Sequence, residues 1–224
     1  MRTSRSFVLG GALLLALAAP AQAQDQGWQD LWFWGGQVGL TAYKTPTSGG
    51  TQFAITAGAH WLITGKRSGL FLAYDQIIYP NGPAAATSQV SDPGSATGTR
   101  DVQFDSGRFI QADLVAIPLN GHLQILVGAG LLLHQISDAV PMGTFASPVD
   151  QQASQDLVND AAMRAFGNLL ASFQLRFGSR FAFFGTYRFI PSASGFLITA
   201  EQHSLTSGFR IALSSRQEEI SAQN

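Results

Sequence analysis

Charged residues fall within otherwise apolar, strand-length stretches, among them five that matter most: Asp75, Asp113, Arg176, Arg188 and Arg210. Alternation of side chains along each stretch assigns all five to the less apolar face. A charge taken out of water without a partner costs several kcal/mol, roughly, so these groups should pair. Counting along the segments sets Asp75 level with Arg188, and Asp113 slightly above Arg210. Gln111, Gln124, Asn168 and Gln174 share that face and can supply hydrogen bonds. Such a network can act as a gate or as a fixed plug; the plug is the simpler expectation. Other chemistry is sparse. The histidines, His60, His122, His134 and His203, show no ligand spacing, and cysteine is absent. His203 and Ser204 beside Glu201 invite a hydrolase reading. Adjacent strand residues point to opposite faces, however, so the two cannot act together. No catalytic residue, cofactor site or metal site is expected.

These side chains need strands to position them. Eight are expected, at 31–44, 51–63, 68–79, 102–118, 121–136, 164–177, 180–190 and 201–213. Period-two alternation carries the assignment. Phe53, Ile55, Ala57, Ala59, Trp61 and Ile63 alternate with Gln52, Thr56, Gly58 and His60. Leu123, Ile125, Val127, Ala129, Leu131 and Leu133 alternate with His122, Gln124, Gly128, Gly130 and His134. Connections sort into tight and long. Residues 64–67, Asn120-Gly121 and Gly178-Ser179 are tight, and Asn-Gly favours positive φ in a hairpin. Residues 80–101 and 137–163 are long, and 191–200 is intermediate. The stretch 84–99, rich in Ala, Ser, Gly, Thr and Pro, reads as a mobile loop. Residues 154–165 read as a short helix. Asp138, Asp150, Asp156 and Asp160 make the second long loop acidic.

Composition decides what solvent the strands face. Charged residues make up 12% of the 224, and lysine occurs only at Lys44 and Lys66. That is about half the usual ~25%. Residues 1–23 read as an export signal: Arg2 and Arg5, an apolar run from Phe7 to Ala19, then Ala21-Gln22-Ala23. The remainder carries 11 basic and 14 acidic residues, which argues against a nucleic-acid partner. No later run reaches the ~18 apolar residues of a transmembrane helix. A closed barrel is the remaining way to satisfy every backbone group in lipid. The apolar face then points outward. Trp32, Trp34 and Trp61 at the turn side, and Tyr43, Tyr79 and Tyr187 toward the loops, are expected to form two aromatic girdles. Leu131 should face lipid, and Gly130 should face an interior that accepts a small polar group.

In these features the chain resembles the small eight-stranded outer-membrane β-barrel proteins of the OmpA-transmembrane-domain, OmpX and OmpW type. One local pattern is more specific. Thr206-Ser207-Gly208-Phe209-Arg210-Ile211-Ala212-Leu213 is similar to the last-strand assembly signal of such proteins, through Gly208, Phe209, Ile211 and Leu213. The resemblance implies an all-β, up-and-down antiparallel barrel over 24–213, followed by a polar tail, 214–224. It implies residence in a bacterial outer membrane with both termini periplasmic. The implied partners are membrane lipid, lipopolysaccharide, the barrel assembly machinery and an unidentified protein at the external loops. A non-enzymatic structural or surface-interaction role fits best. A narrow porin-like channel for small or hydrophobic solutes is the alternative, and a lipid A-modifying enzyme is the third reading.

Overall fold

The computed structural model describes residues 31–80, 86–177 and 180–215. The export-signal segment, the Gly178-Ser179 turn and tail residues 216–224 lie outside them. Eight strands close into one antiparallel barrel. They are β1 (Leu31–Tyr43), β2 (Gln52–Thr64), β3 (Ser68–Ile78), β6 (Ser106–Asn120), β7 (Leu123–Ser137), β9 (Met163–Phe177), β10 (Phe181–Ile190) and β11 (Gln202–Ser215). Each pairs with its neighbour in sequence, and β11 closes on β1 with Gly36 opposite Phe209. The last strand therefore runs two residues into the expected tail.

Alternation sorts the two faces. Outward stand Leu114 at 74% exposure, Leu131 at 70% and Phe209 at 65%, with Ile55, Leu205 and Leu213. Inward stand three successive layers. The turn end is filled by Leu31, Phe33, Leu62, Phe71, Leu126 and Ala182. The middle is polar, with Gln37, Thr56, His60, Asp75, Asp113, Thr186, Arg188 and Arg210. The loop end is again apolar, through Tyr43, Ile77, Tyr79, Phe109, Leu132, Ile136 and Phe166. The lumen is thus less uniformly polar than the sequence suggests.

The long connections are folded. The expected mobile loop forms a hairpin, β4 (Ala86–Ser91) with β5 (Thr99–Phe104), joined by the short β8 (Val140–Pro141). Residues 102–104, expected in the fourth barrel strand, belong to this second sheet. The helix, α1 (Pro148–Ala161), starts and ends earlier than expected. Its start is fixed locally: Pro148 needs no N–H partner, and the Asp150 N–H donates to the Ser147 hydroxyl at 3.2 Å. Val90, Val102, Phe104, Val158, Phe196, Leu197 and Ile198 turn inward and close the loop end as a cap. The Asn120-Gly121 turn also differs from expectation, because neither residue has positive φ.

Gly130 is a further correction. A Cβ there would collide with the Ala112 carbonyl and with Asp113, its cross-strand partner. The position accepts no small polar group. Two substitutions should therefore both fail, for different reasons. In lipid, Leu131→Arg should cost about 2–4 kcal/mol if it sits near the bilayer midplane. Gly130→Ser should also destabilise, through backbone collision, and Leu131→Val should be nearly neutral. Urea unfolding in lipid vesicles checks all three.

Candidate functional site: the lumen charge layer and the cap

Arg188 and Asp75 meet across the barrel. Arg188 Nη2 donates to Asp75 Oδ2 at 3.0 Å, and the two side chains are 1% and 0% exposed. Gln37 donates to the other carboxylate oxygen. The guanidinium also lies 5.4 Å from the Phe109 ring centroid. Asp75 fits against the wall because its register partner on β2 is Gly58, where any Cβ would strike the carboxylate.

The second expected pair does not form. Arg210 Nε donates to His60 Nε2 at 2.7 Å, and its Nη1 donates to Gln174 at 2.6 Å. Its guanidinium sits 4.1 Å from the Phe184 ring centroid. Asp113 instead accepts from Gln111 on its own strand. Asp113 lies opposite Phe71 and Gly130, whereas Arg210 lies opposite Gly35 and Ala182. Arg176 is half-buried at the turn end and donates to Asn120 at 2.6 Å. Gln124 also reaches Asn120, at 3.4 Å, rather than a lumen charge. The Asn168 side chain is buried beside the Asp113 carboxylate.

The aromatic positions divide. Trp32, Trp34 and Tyr187 face outward, and Trp61 lies between Trp32 and Trp34 at centroid distances of 5.3 and 5.7 Å. Tyr43 and Tyr79, expected in the loop-side girdle, point inward at 1% and 2% exposure. They pack edge to face at 5.0 Å, and the Tyr79 hydroxyl bonds His134 Nε2 at 3.0 Å. Phe209, Ile211 and Leu213 face outward. Gly208 has no room for a Cβ beside the Gly36 carbonyl. His203 stands outside, bonded to Tyr187 at 2.7 Å, and Ser204 stands inside, bonded to Thr41 at 3.1 Å.

Sequence reasoning missed the tie that holds the cap. Arg100 Nε pairs with Asp92. The same carboxylate oxygen accepts from Ser154 of α1 at 2.7 Å. Arg100 Nη1 donates to the carbonyls of Met142 and Thr144, both at 3.3 Å. One ion pair thereby joins the hairpin, the segment after β8 and the helix. The signal available was the alternation of Arg100, Val102 and Phe104 with Thr99, Asp101 and Gln103.

No protein-family model matches the chain, and no curated protein does. Solved structures do. Neisserial surface protein A superposes with a TM-score of 0.52 at 9% identity, covering 81% of this chain and 97% of that one. The fold is that of the small eight-stranded outer-membrane barrels. OprG from Pseudomonas aeruginosa aligns at TM-score 0.46 and 10% identity, over 84% of this chain and 98% of that one. Ail of Yersinia pestis aligns at 0.45 and 8%, over 81% and 99%. In a barrel of this kind the interior has room for side chains and little else; here the inward side chains form three layers.

Two outcomes follow from the geometry. Arg188→Ala strands Asp75 in the lumen and should cost about 3–5 kcal/mol. Arg180→Ala, at an exposed turn position, should stay within about 0.5 kcal/mol. Unfolding in detergent with each variant checks the contrast. In the cap, hydrogen bonds from Arg100 and then Ser154 hold the Asp92 carboxyl below the usual carboxylate range. A depressed folded pKa stabilises the cap above the ordinary value of about 3.9, and that contribution fades as pH falls through the lower folded value. Amide protection in residues 86–104 should therefore persist from neutral pH to about pH 4 and fall below it. Asp92→Asn should lower protection throughout and flatten the acid limb.

Proposed function

We propose that the protein is an integral outer-membrane barrel with a closed lumen, acting through its cap as a structural or surface-interaction protein rather than as a channel or an enzyme. The observation that carries this reading is the filled interior. An apolar floor, the Arg188–Asp75 layer and an apolar ceiling succeed one another along the axis. A solute would have to displace all three.

The outward belt supports the membrane setting. Contiguous Val, Leu, Ile and Phe side chains are poorly matched to water and well matched to hydrocarbon. Among the described residues no helix is long and apolar enough to cross a membrane, so the strands would do so. An apolar depression of about 660 Å³ on the outer wall, between Trp34, Trp61, Tyr74, Ile110, Leu131 and Leu133, suits a lipid chain. β1 begins and β11 finishes at the side of the tight turns, which in this fold class face the periplasm. Both termini are therefore assigned to that side and the cap to the exterior. There it can meet lipopolysaccharide or a protein partner. The outward Phe209, Ile211 and Leu213 after Gly208 suit recognition of the last strand by the assembly machinery. Against a lipid A-modifying activity, His203 and Ser204 lie on opposite sides of the wall.

Single-channel recording in planar bilayers tests the reading. Wild-type protein should give no steady conductance, and it should fractionate with outer membrane and migrate heat-modifiably on gels. A steady conductance would move the porin-like alternative to first place. Recovery as a detergent-free soluble monomer would overturn the membrane assignment.

A further inference from the structure

The cap contains a second concavity, separate from the lumen. It measures about 720 Å³ and lies between the β4–β5 hairpin tip and residues 142–146. Its frame is rigid for its size. Arg100, buried and tied to Asp92, stacks 4.3 Å from the Phe145 ring centroid. Gly143 makes this possible: at φ 101° it takes a backbone shape that other residues rarely adopt, and it turns the chain so that Thr144 offers its carbonyl to Arg100. On the outer face of the hairpin, Gln89 and Asp101 are register partners, and Gln89 Nε2 donates to Asp101 Oδ1 at 2.8 Å. Hydroxyls of Ser95 and Thr97, 3.1 Å apart, close the hairpin side.

The chemistry of this lining selects among ligands. The one guanidinium is already neutralised by Asp92, and Asp101 would repel an anion. An apolar ligand would strip water from hydroxyl, amide and carboxylate groups and return nothing. Among the described residues no group of three potential metal ligands assembles. A peptide strand finds this edge of β5 taken, by β8 and by the Met142 N–H to the Asp101 carbonyl at 2.7 Å. What remains is a ligand with many neutral hydroxyls and one weakly apolar face. Such a ligand can set its C–H face on Phe145 and its hydroxyls on Asp101, Gln89, Ser95 and Thr97, which offer both donors and acceptors.

We propose that this cleft is a carbohydrate site for an uncharged pyranose-type sugar. The proposal deepens the surface-interaction reading and rests on it for where the sugar is met. Binding itself needs only the folded cap.

The test is saturation-transfer NMR on the full-length protein in a detergent without a sugar headgroup. One arm offers maltose, lactose and chitobiose. A second offers dephosphorylated, delipidated lipopolysaccharide core oligosaccharide. Saturable binding in the first arm assigns the site to external glycans, and binding in the second alone assigns it to the membrane's own saccharide. Phe145→Ala and Asp101→Asn should each weaken that binding about tenfold or more. Asp156→Asn, on exposed α1, should leave it unchanged. Asp101 is exposed and outside the Arg100–Asp92 tie, so Asp101→Asn keeps the fold intact and decides the matter if Phe145→Ala disturbs the cap. Absence of saturable binding in both arms, or wild-type affinity in Asp101→Asn, overturns the proposal. Either result leaves the closed-barrel reading standing, because that depends on conductance.

Discussion

A closed eight-stranded wall leaves an interior that its own side chains must fill, and every charge placed there must find an opposite charge or hydrogen-bond partners. The Arg188–Asp75 contact satisfies that constraint at the centre of the barrel. Its consequences spread into the wall. Asp75 needs the missing Cβ of Gly58, Asp113 needs that of Gly130, and His60 lies over Gly35 in the same way. In each case the polar side chain and the glycine are register partners on neighbouring strands. Space for the lumen network is thus written into the strand pairing. Slipping any of these pairs by one residue would turn the polar group outward and close the gap that admits it.

The lumen also explains why the cap is folded rather than loose. Two long connections and one intermediate one leave the same end of the barrel, where Tyr43, Tyr79, Phe109, Phe166 and Ile190 present an apolar rim inside the mouth. Exposed to water, that rim would cost free energy in proportion to its area. The hairpin, α1 and residues 196–198 cover it with Val90, Val102, Phe104, Val158 and Phe196–Ile198. The Asp92–Arg100–Ser154 contacts then fix how these pieces sit on one another. Stability of the cap comes from the apolar underside, and its single arrangement from the polar tie.

Much of this was legible in the sequence, and the failures have physical causes. Period-two alternation located all eight barrel strands and set Leu131 outward and Asp75 inward. Tyr43 and Tyr79 were misplaced where an expected aromatic girdle was allowed to override that same alternation. Tyr43 shares parity with Phe33, Gln37 and Thr41, and Tyr79 with Asp75 and Ile77, all of which point inward. Parity was the better guide because the pleat enforces it, whereas a girdle is only a tendency. The Arg210 partner was unreadable for another reason. Height along a tilted strand depends on shear, which no single strand reveals, so His60 and Gln174 could not be chosen over Asp113. The cap hid behind its tip: Asp92-Pro93-Gly94-Ser95 reads as a loop, and the six-residue strands beside it are too short for their alternation to stand out.

The lumen and the cap are not independent bodies. Arg188 lies over Phe109, Phe109 meets His134 at 4.5 Å, and His134 meets Phe196 of the cap at 5.0 Å. Phe196 in turn meets Phe166 on the barrel wall at 5.3 Å. A continuous stack therefore runs from the central ion pair to the last of the loop-end connections. Lifting residues 196–198 would uncover His134, the ring that packs on Phe109. Densely packed interiors of this kind resist partial displacement, because each side chain that moves leaves its neighbours without contacts. Gln89 and Asp101 lie exposed on the outer surface of the cap, apart from the stack beneath.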